Sequence, residues 1–290
     1  MSFAIAPVRH LSVDAGGIET FYRESGTDDA PVLLLPHGYP ASSYEFRNLM
    51  PLLGDRWRLI APDAPGFGYS ATPDVADFPY TFRAYTDWLE AFADRLGLRR
   101  YALYLHDYGS QFGLELALRH PDRVAALVIQ NGDIYADEHG PKYKGLKEFW
   151  TAPTPAGRAA LTANISEEGF RDEFLNDLPD GLVRTFPPDL WKLHWALMTP
   201  GRFEYVRLFE DQAGTIDRFA VQQAYLREHR PPTLIVWGPN DGYMPAEAAR
   251  AYLRDLPDAE LHLLAGGHWL LETHVAEVAA LIRDFLGRRW

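Results

Sequence analysis

The order of apolar runs predicts an α/β fold: a mostly parallel sheet flanked by helices and interrupted by a helical insertion. Three observations carry this. Short, continuous apolar runs recur along the chain, as suits strands buried on both faces. Segments with apolar residues at helical spacing alternate with them, and that alternation calls for a parallel sheet covered on both sides. The alternation stops after Gln130 and resumes near Thr233; the stretch between mixes Trp, Phe, Pro and charge without a clear buried strand.

Taken in order, residues 8–13 and 18–24 are β-leaning and meet at Gly16-Gly17, a hairpin signal. Residues 32–35 form an apolar run stopped by Pro36, and residues 57–61 form another ended by Pro62. Between them, residues 44–53 read as a helix. Residues 82–96 have helical spacing and stop at Gly97, a suitable C-terminal cap. A strand over 101–105, a helix over 111–118 and a strand over 124–129 complete the first part. After the insertion come a strand over 233–237, a helix over 246–253, a strand over 260–264 and a closing helix over 275–286. The expected division is therefore a core of residues 1–133 and 231–290, with a helical cap over 134–230. The insertion leaves the carboxyl end of a strand, where open α/β sheets bind ligands, so it is placed to act as a lid.

Composition narrows the function. The chain has 290 residues, 47% hydrophobic and 23% charged, a globular balance that excludes disordered, collagen-like and coiled-coil chains. The length supports an ordinary core in one large domain or two small ones. No internal repeat is evident. The net charge of −12 argues against a nucleic-acid binder and against docking on an anionic membrane. The absence of cysteine excludes a disulfide framework, a Cys nucleophile and a thiolate metal site. The N-terminus lacks the roughly 7–15-residue apolar stretch of a secretory signal. No run approaches the ~18 apolar residues of a membrane span. A cytoplasmic location is expected.

Five segments fall at or after the carboxyl ends of expected strands: His37-Gly38-Tyr39-Pro40, Pro62-Asp63-Ala64-Pro65-Gly66-Phe67-Gly68-Tyr69-Ser70, His106-Asp107-Tyr108-Gly109-Ser110, Gly238-Pro239-Asn240-Asp241 and Gly266-Gly267-His268-Trp269. In that order they resemble the α/β-hydrolase superfamily, across essentially the whole chain outside the insertion. The nucleophile of that fold sits on a strand-to-helix turn, usually read Gly-x-Ser-x-Gly. No such pentapeptide occurs here. The matching frame, Leu105-His106-Asp107-Tyr108-Gly109, offers an aspartate. His-Asp-Tyr-Gly-Ser resembles the His-Asp-Trp-Gly of haloalkane dehalogenases and epoxide hydrolases. That resemblance implies that Asp107 attacks carbon and forms an ester. A carboxylate suits the task, because free Asp ionises near pH ~3.9 and needs no base to activate it. An Asp ahead of a helix is also an ordinary N-cap, and Ser110 is the competing nucleophile.

The same resemblance implies a base after the last strand, which His268 supplies. His37, His106, His262 and His274 read as structural. Asp241 follows the strand over 233–237 and is the expected orienting acid, although Asn-Asp-Gly is also turn chemistry. Some dehalogenases carry this acid after the preceding strand, where this chain has Asn131 and, two residues on, Asp133. Backbone N–H groups of Tyr39 and Tyr108 are the implied oxyanion hole.

The chain departs from its relatives at the leaving-group site. Haloalkane dehalogenases hold halide with a Trp after the nucleophile, where this chain has Tyr108; Tyr39 stands where some relatives have Asn. Epoxide hydrolases use lid tyrosines, for which Tyr135, Tyr143, Tyr205 and Tyr225 are available. Fluoroacetate dehalogenases use a His, a Trp and a Tyr, and Trp191-Lys192-Leu193-His194-Trp195 offers the first two; no Tyr stands near Asp211-Gln212. Trp191, His194, Trp195 and Tyr205 are therefore the lid candidates, against the ordinary packing role of lid aromatics. The expected protein is an Asp107–His268–Asp241 hydrolase with a small, mostly apolar epoxide as substrate. A haloalkane or haloacetate is the alternative, and an esterase, a lactonase or a non-catalytic ligand receptor on the same fold stays open. No cofactor or metal is expected, because no His/Asp/Glu cluster has ligand spacing. The expected partner is a small molecule, and a homodimer is left open.

Overall fold

The computed structural model describes residues 6–175, 177–198 and 204–289. The chain enters through a hairpin, β1 (Val8–Ala15) and β2 (Ile18–Ser25). Its two-residue turn needs positive φ, and Gly16 and Gly17 adopt +65° and +88°. Then follow β3 (Val32–Leu34), α1 (Met50–Leu53), β4 (Arg58–Pro62), α2 (Phe82–Arg95), β5 (Tyr101–His106), α3 (Asp107–Arg119) and β6 (Val124–Gln130). The inserted segment holds α4 (Tyr143–Thr151), α5 (Pro155–Ala163), α6 (Glu167–Leu175), α7 (Asp180–Val183), α8 (Asp189–Ala196) and α9 (Val206–His229). The chain closes with β7 (Thr233–Trp237), α10 (Ala246–Ala251), β8 (Glu260–Leu263), α11 (Leu270–Thr273) and α12 (Val275–Gly287).

The eight strands form one sheet in the order β1-β2-β4-β3-β5-β6-β7-β8. β1, β2 and β4 pair antiparallel, and every pairing from β4 to β8 is parallel. This is an α/β-hydrolase sheet, and its central strands are buried throughout, as continuous apolar runs require. Alternate residues serve opposite faces. Leu103, Leu105, Leu127, Ile129 and Ile235 meet the α2–α3 side. Ala102, Tyr104, Val128, Leu234 and Val236 meet Val278, Ile282 and Phe285 of α12.

Three helices differ from the sequence reading, one of them the helix expected over 246–253, which is α-helical only over Ala246–Ala251 and passes into a 3-10 turn, Tyr252–Arg254. The helix expected over 44–53 is split into a short 3-10 turn, Ser43–Phe46, and α1. Pro51 is the reason: lacking an N–H, it is tolerated only in a first helical turn, so a new helix starts at Met50. The helix expected from residue 111 begins instead at Asp107, directly after β5. α9 brings the chain back to the core. Asp211 accepts the Phe82 N–H at the start of α2 (2.8 Å), and Arg218 reaches Glu115 on α3 (3.0 Å). Arg230, at φ +43°, ends α9 ahead of Pro231-Pro232. Among the described residues no helix is long and apolar enough to cross a membrane.

Close packing against the β3 loop fixes the start of α3. A Cβ on Gly109 would overlap the backbone carbonyl of Pro36. Gly109→Ala is expected to destabilise by about 1–3 kcal/mol through overpacking. Gly214, exposed within α9 with open space around it, is the control. Gly214→Ala should stabilise by about 0.5–1 kcal/mol. Urea midpoints of the two variants check both signs.

Candidate active site

The site grows from the junction of β5 and α3. No residue separates strand from helix, so Asp107 makes the whole turn and is held at φ +47°, in the left-handed region that a non-glycine residue avoids. Neighbouring backbone holds it there. The Asp107 N–H donates to the Asn131 carbonyl at 3.2 Å, and the Ser110 hydroxyl donates to the Asp107 carbonyl at 2.6 Å. The loop after β3 passes so close that a Cβ on Gly38 would collide with the Asp107 side chain. The next N–H in that loop, Tyr39, donates to Asp107 Oδ1 at 2.7 Å. The Tyr108 backbone bonds the same carboxylate.

His268, in the loop after β8, turns Nε2 toward Asp107 Oδ2 at 3.5 Å and donates from Nδ1 to Asp241 Oδ2 at 2.7 Å. Asp241 is itself fixed. Its Oδ1 accepts the N–H groups of Tyr243 (2.8 Å) and Met244 (3.1 Å), and its Oδ2 accepts Asn131 Nδ2 at 2.8 Å. Asn131 also bonds Gly238 through both ends of its amide. It thus ties the end of β6 to the loop that carries the acid. Burial disfavours the charged imidazole, but Asp241 and Asp107 outweigh it and raise the His268 pKa to about 10. Burial likewise opposes ionisation of Asp107 and Asp241, yet His268 and their hydrogen bonds hold both below the ordinary carboxylate value.

The other polar candidates lie outside this chain of contacts. Ser110 is buried in the first turn of α3. Asp133 accepts the Tyr135 N–H at 2.8 Å and faces His139, not His268. His37 accepts the Ala64 N–H at 2.9 Å. His106 Nδ1 faces Glu45 at 2.6 Å, and its Nε2 lies 3.1 Å from the His268 carbonyl.

Asp107 and His268 open into a cavity of about 170 Å³ between core and cap. Besides Asp107 and His268, its polar lining comes from Tyr39, Tyr108, Lys142, Tyr143, Asn164, Glu173, Gln212 and Tyr243. A larger groove, about 660 Å³, runs past Phe82, Arg119, Arg218 and Gln222 and includes none of Asp107, His268 and Asp241.

None of the four lid candidates lines the 170 Å³ cavity. His194 is buried, stacked on Phe174 at 5.6 Å, and burial lowers its pKa to about 3, so it is a neutral packing residue. Trp195 meets Phe170 edge-on at 5.8 Å, and Trp191 packs against the cluster of Phe174, Phe186 and Leu190. Tyr205 stacks on Phe67 at 4.3 Å and donates its hydroxyl to the Gly66 carbonyl. Trp195 and His194 pack within the inserted segment, and Tyr205 fastens that segment to the loop after β4. The cavity donors are different residues. Tyr143 and Gln212 stood among segments already singled out, and Tyr243 had a usable signal in lying two residues after Asp241. Glu173 had none: in Glu167–Leu175 it is one of three glutamates on a short amphipathic helix.

The comparisons with known proteins agree with this architecture. The α/β hydrolase fold family model matches residues 31–275. A haloalkane dehalogenase of Bradyrhizobium diazoefficiens is 41% identical, covering 93% of this chain and 91% of the relative. The uncharacterized hydrolase YNR064C of Saccharomyces cerevisiae is 33% identical over 96% of this chain and 97% of its own length. Among solved structures, the haloalkane dehalogenase DbeA-M1 loop variant from Bradyrhizobium elkanii aligns with a TM-score of 0.78 at 25% identity, covering 97% of this chain and 98% of that one. With sheet order, turn geometry and relatives in agreement, the chain belongs to the α/β-hydrolase fold family and is an enzyme of the hydrolase type.

Proposed function

We propose that Asp107 is a carbon nucleophile and that the enzyme hydrolyses a small, mostly apolar epoxide through a covalent alkyl ester. The carrying observation is the division of labour between the two oxygens of Asp107. Oδ1 accepts the Tyr39 N–H, whereas Oδ2 faces His268, and Asp107 and His268 both line the cavity. Oδ2 therefore attacks, and Oδ1 becomes the ester carbonyl oxygen. In the second step His268 takes a proton from water, the water attacks the ester carbonyl carbon, and the backbone donors stabilise the charge that grows on Oδ1. Asp241 keeps the ring oriented. Esterification also prepares the base: once Asp107 is neutral, one of the two charges that raise the His268 pKa is gone, and His268 releases its proton more readily.

The cavity chemistry favours an epoxide over a halide. The indole N–H groups of Trp150 and Trp269 are committed to the carbonyls of Phe209 (2.7 Å) and Glu173 (2.8 Å). Hydroxyls line the cavity, beside the Lys142 ammonium and the amides of Asn164 and Gln212. Tyr108 donates to Gln212 at 2.9 Å, and Gln212 donates to the Tyr143 hydroxyl at 3.3 Å, which directs the Tyr143 proton to a ligand. A haloalkane is the second reading, supported by the relatives named haloalkane dehalogenases. It uses the same attack by Asp107.

Asp107→Asn should lose more than nine-tenths of epoxide turnover with an unchanged circular dichroism spectrum, because the amide has the shape of the acid without its nucleophilicity. Retention of a tenth of the rate, with deamidation excluded by mass spectrometry, sinks the assignment. His268→Gln should stop at the ester, since loss of a general base costs typically about 10²–10⁴-fold in the second step. Intact-protein mass should rise by the full epoxide, or by the haloalkane less its halide, and peptide mapping should find the addition on Asp107. Heavy-oxygen water entering product directly in the first turnover contradicts the covalent route.

The raised pKa of His268 also affects stability. The stabilisation its charge contributes is complete below the unfolded value, about 6.5, and is lost as pH rises toward the folded value of about 10. Unfolding free energy should therefore fall from pH 7 to pH 10 in the wild type, and fall less in His268→Gln. Equal slopes in urea titrations contradict the ion-pair assignment.

A further inference from the structure

We propose that Glu173, on cap helix α6, is the proton donor of the ring-opening step, and that the site is thereby built for substrates whose leaving atom is an oxygen. The inference rests on the Asp107 nucleophile proposed above. Glu173 is a second carboxyl in the cavity that holds Asp107 and His268. Its position is prepared from two sides. Tyr243 donates its hydroxyl to Oε1 at 3.1 Å, and Trp269 Nε1 donates to the Glu173 main-chain carbonyl at 2.8 Å. Tyr243 is itself held by its N–H on Asp241, so the cap acid is registered to the loop that orients the base.

The charges around Glu173 decide its protonation. Lys142 on the cap and Tyr243 and His268 on the core favour the carboxylate; burial and Asp107 oppose it, and burial prevails, so the pKa lies above the usual carboxylate value. Lys142 is drawn off by Asp177 at 3.0 Å and lies over the Tyr243 ring. On the same helix, Arg171 and Asp172 pair with each other at the exposed surface. α8, the neighbouring cap helix, sets neutral His194 against Phe174. The tyrosines are poorer proton donors. Burial pushes the Tyr143 and Tyr243 hydroxyls far above 10, whereas efficient acids titrate near the working pH. The hydroxyls hydrogen-bond; Glu173 gives up the proton.

The step balances. Asp107 Oδ2 forms a bond to an epoxide carbon, the carbon–oxygen bond breaks, and the electron pair stays on oxygen. That oxygen takes the proton of Glu173, giving a β-hydroxyalkyl ester and a Glu173 carboxylate. Water then adds to the ester carbonyl carbon while His268 accepts its proton. Collapse breaks the ester bond, the departing diol oxygen takes the proton held by His268, and Asp107 gives the second water proton to solvent and returns to carboxylate. Glu173 recovers the proton still owed from solvent.

The test isolates ring opening in His268→Gln, where the ester accumulates. Alkylation of Asp107 is timed by intact-protein mass with 1,2-epoxybutane and with 1-bromobutane, before and after adding Glu173→Gln. Gln keeps the shape and can still accept the Tyr243 hydroxyl. Epoxide alkylation should slow by about 10²–10⁴-fold, and the bromide reaction, whose leaving group needs no proton, far less. The epoxide rate should also fall with rising pH as Glu173 ionises, and that limb should vanish in Glu173→Gln. Equal slowing of both reagents, or an unchanged epoxide rate, overturns the assignment while leaving the Asp107 nucleophile standing. If neither reagent ever labels Asp107, the nucleophile reading fails and this one falls with it.

Discussion

The backbone of Asp107 is the constraint on which the site depends. A side chain that must stand clear at the tip of a strand-to-helix turn needs a left-handed φ, which costs free energy on the order of 1–3 kcal/mol. Surrounding packing offsets that cost. Gly38 and Gly109 are bare where the β3 loop and α3 approach each other, and the Asn131 carbonyl receives the strained N–H. The same close approach brings the Tyr39 N–H onto Asp107 Oδ1. Conformational strain and charge stabilisation are therefore one arrangement, in which relaxing the turn would also withdraw the donor.

Electrostatic order follows from it. His268 lies between two carboxylates of different standing: Asp241, fully hydrogen-bonded and only 1% exposed at its side chain, and Asp107, 14% exposed at the cavity floor. One carboxylate is fixed in charge and place. The other is accessible to ligand, so a change there alters the proton affinity of the imidazole without moving it. Asn131 makes this separation durable by anchoring Asp241 to β6.

Much of this was legible in the sequence because the core obeys local rules. Strands buried on both faces announce themselves as apolar runs, and Pro36, Pro62 and Gly238 mark where they stop. Side chains just past those stops must face one edge of the sheet, so Asp107, Asp241 and His268 converge by topology. Asn131 binds Asp241, whereas the sequence marked it only as standing where some relatives carry the acid. The cap obeys weaker rules. Its helices are short, and an aromatic on them can face the core, another helix or the cavity with the same spacing. Trp191, His194, Trp195 and Tyr205 face protein, while Tyr143 and Glu173 face the cavity. That choice is set by tertiary packing, which periodicity does not encode. Pro51 and the early start of α3 show the same limit at element ends, where one residue's covalent geometry or one turn's strain overrides the apolar pattern.

α9 carries a mechanical consequence. Its 24 residues span about 36 Å. Along that length it is fastened to α2 and α3 through Asp211, Arg218 and Gln222, and to the cap through the Trp150 indole and Arg158. It behaves as a beam shared by both layers, so swinging the cap away as one body would break contacts on each side together. With the inserted helices so fastened, access to the cavity would depend on the apolar side chains that line it, Leu146 and Leu161 among them. Those two leucines could then be enlarged or trimmed to fit visitors of different girth while α9, Asp107, His268 and Glu173 stay as they are.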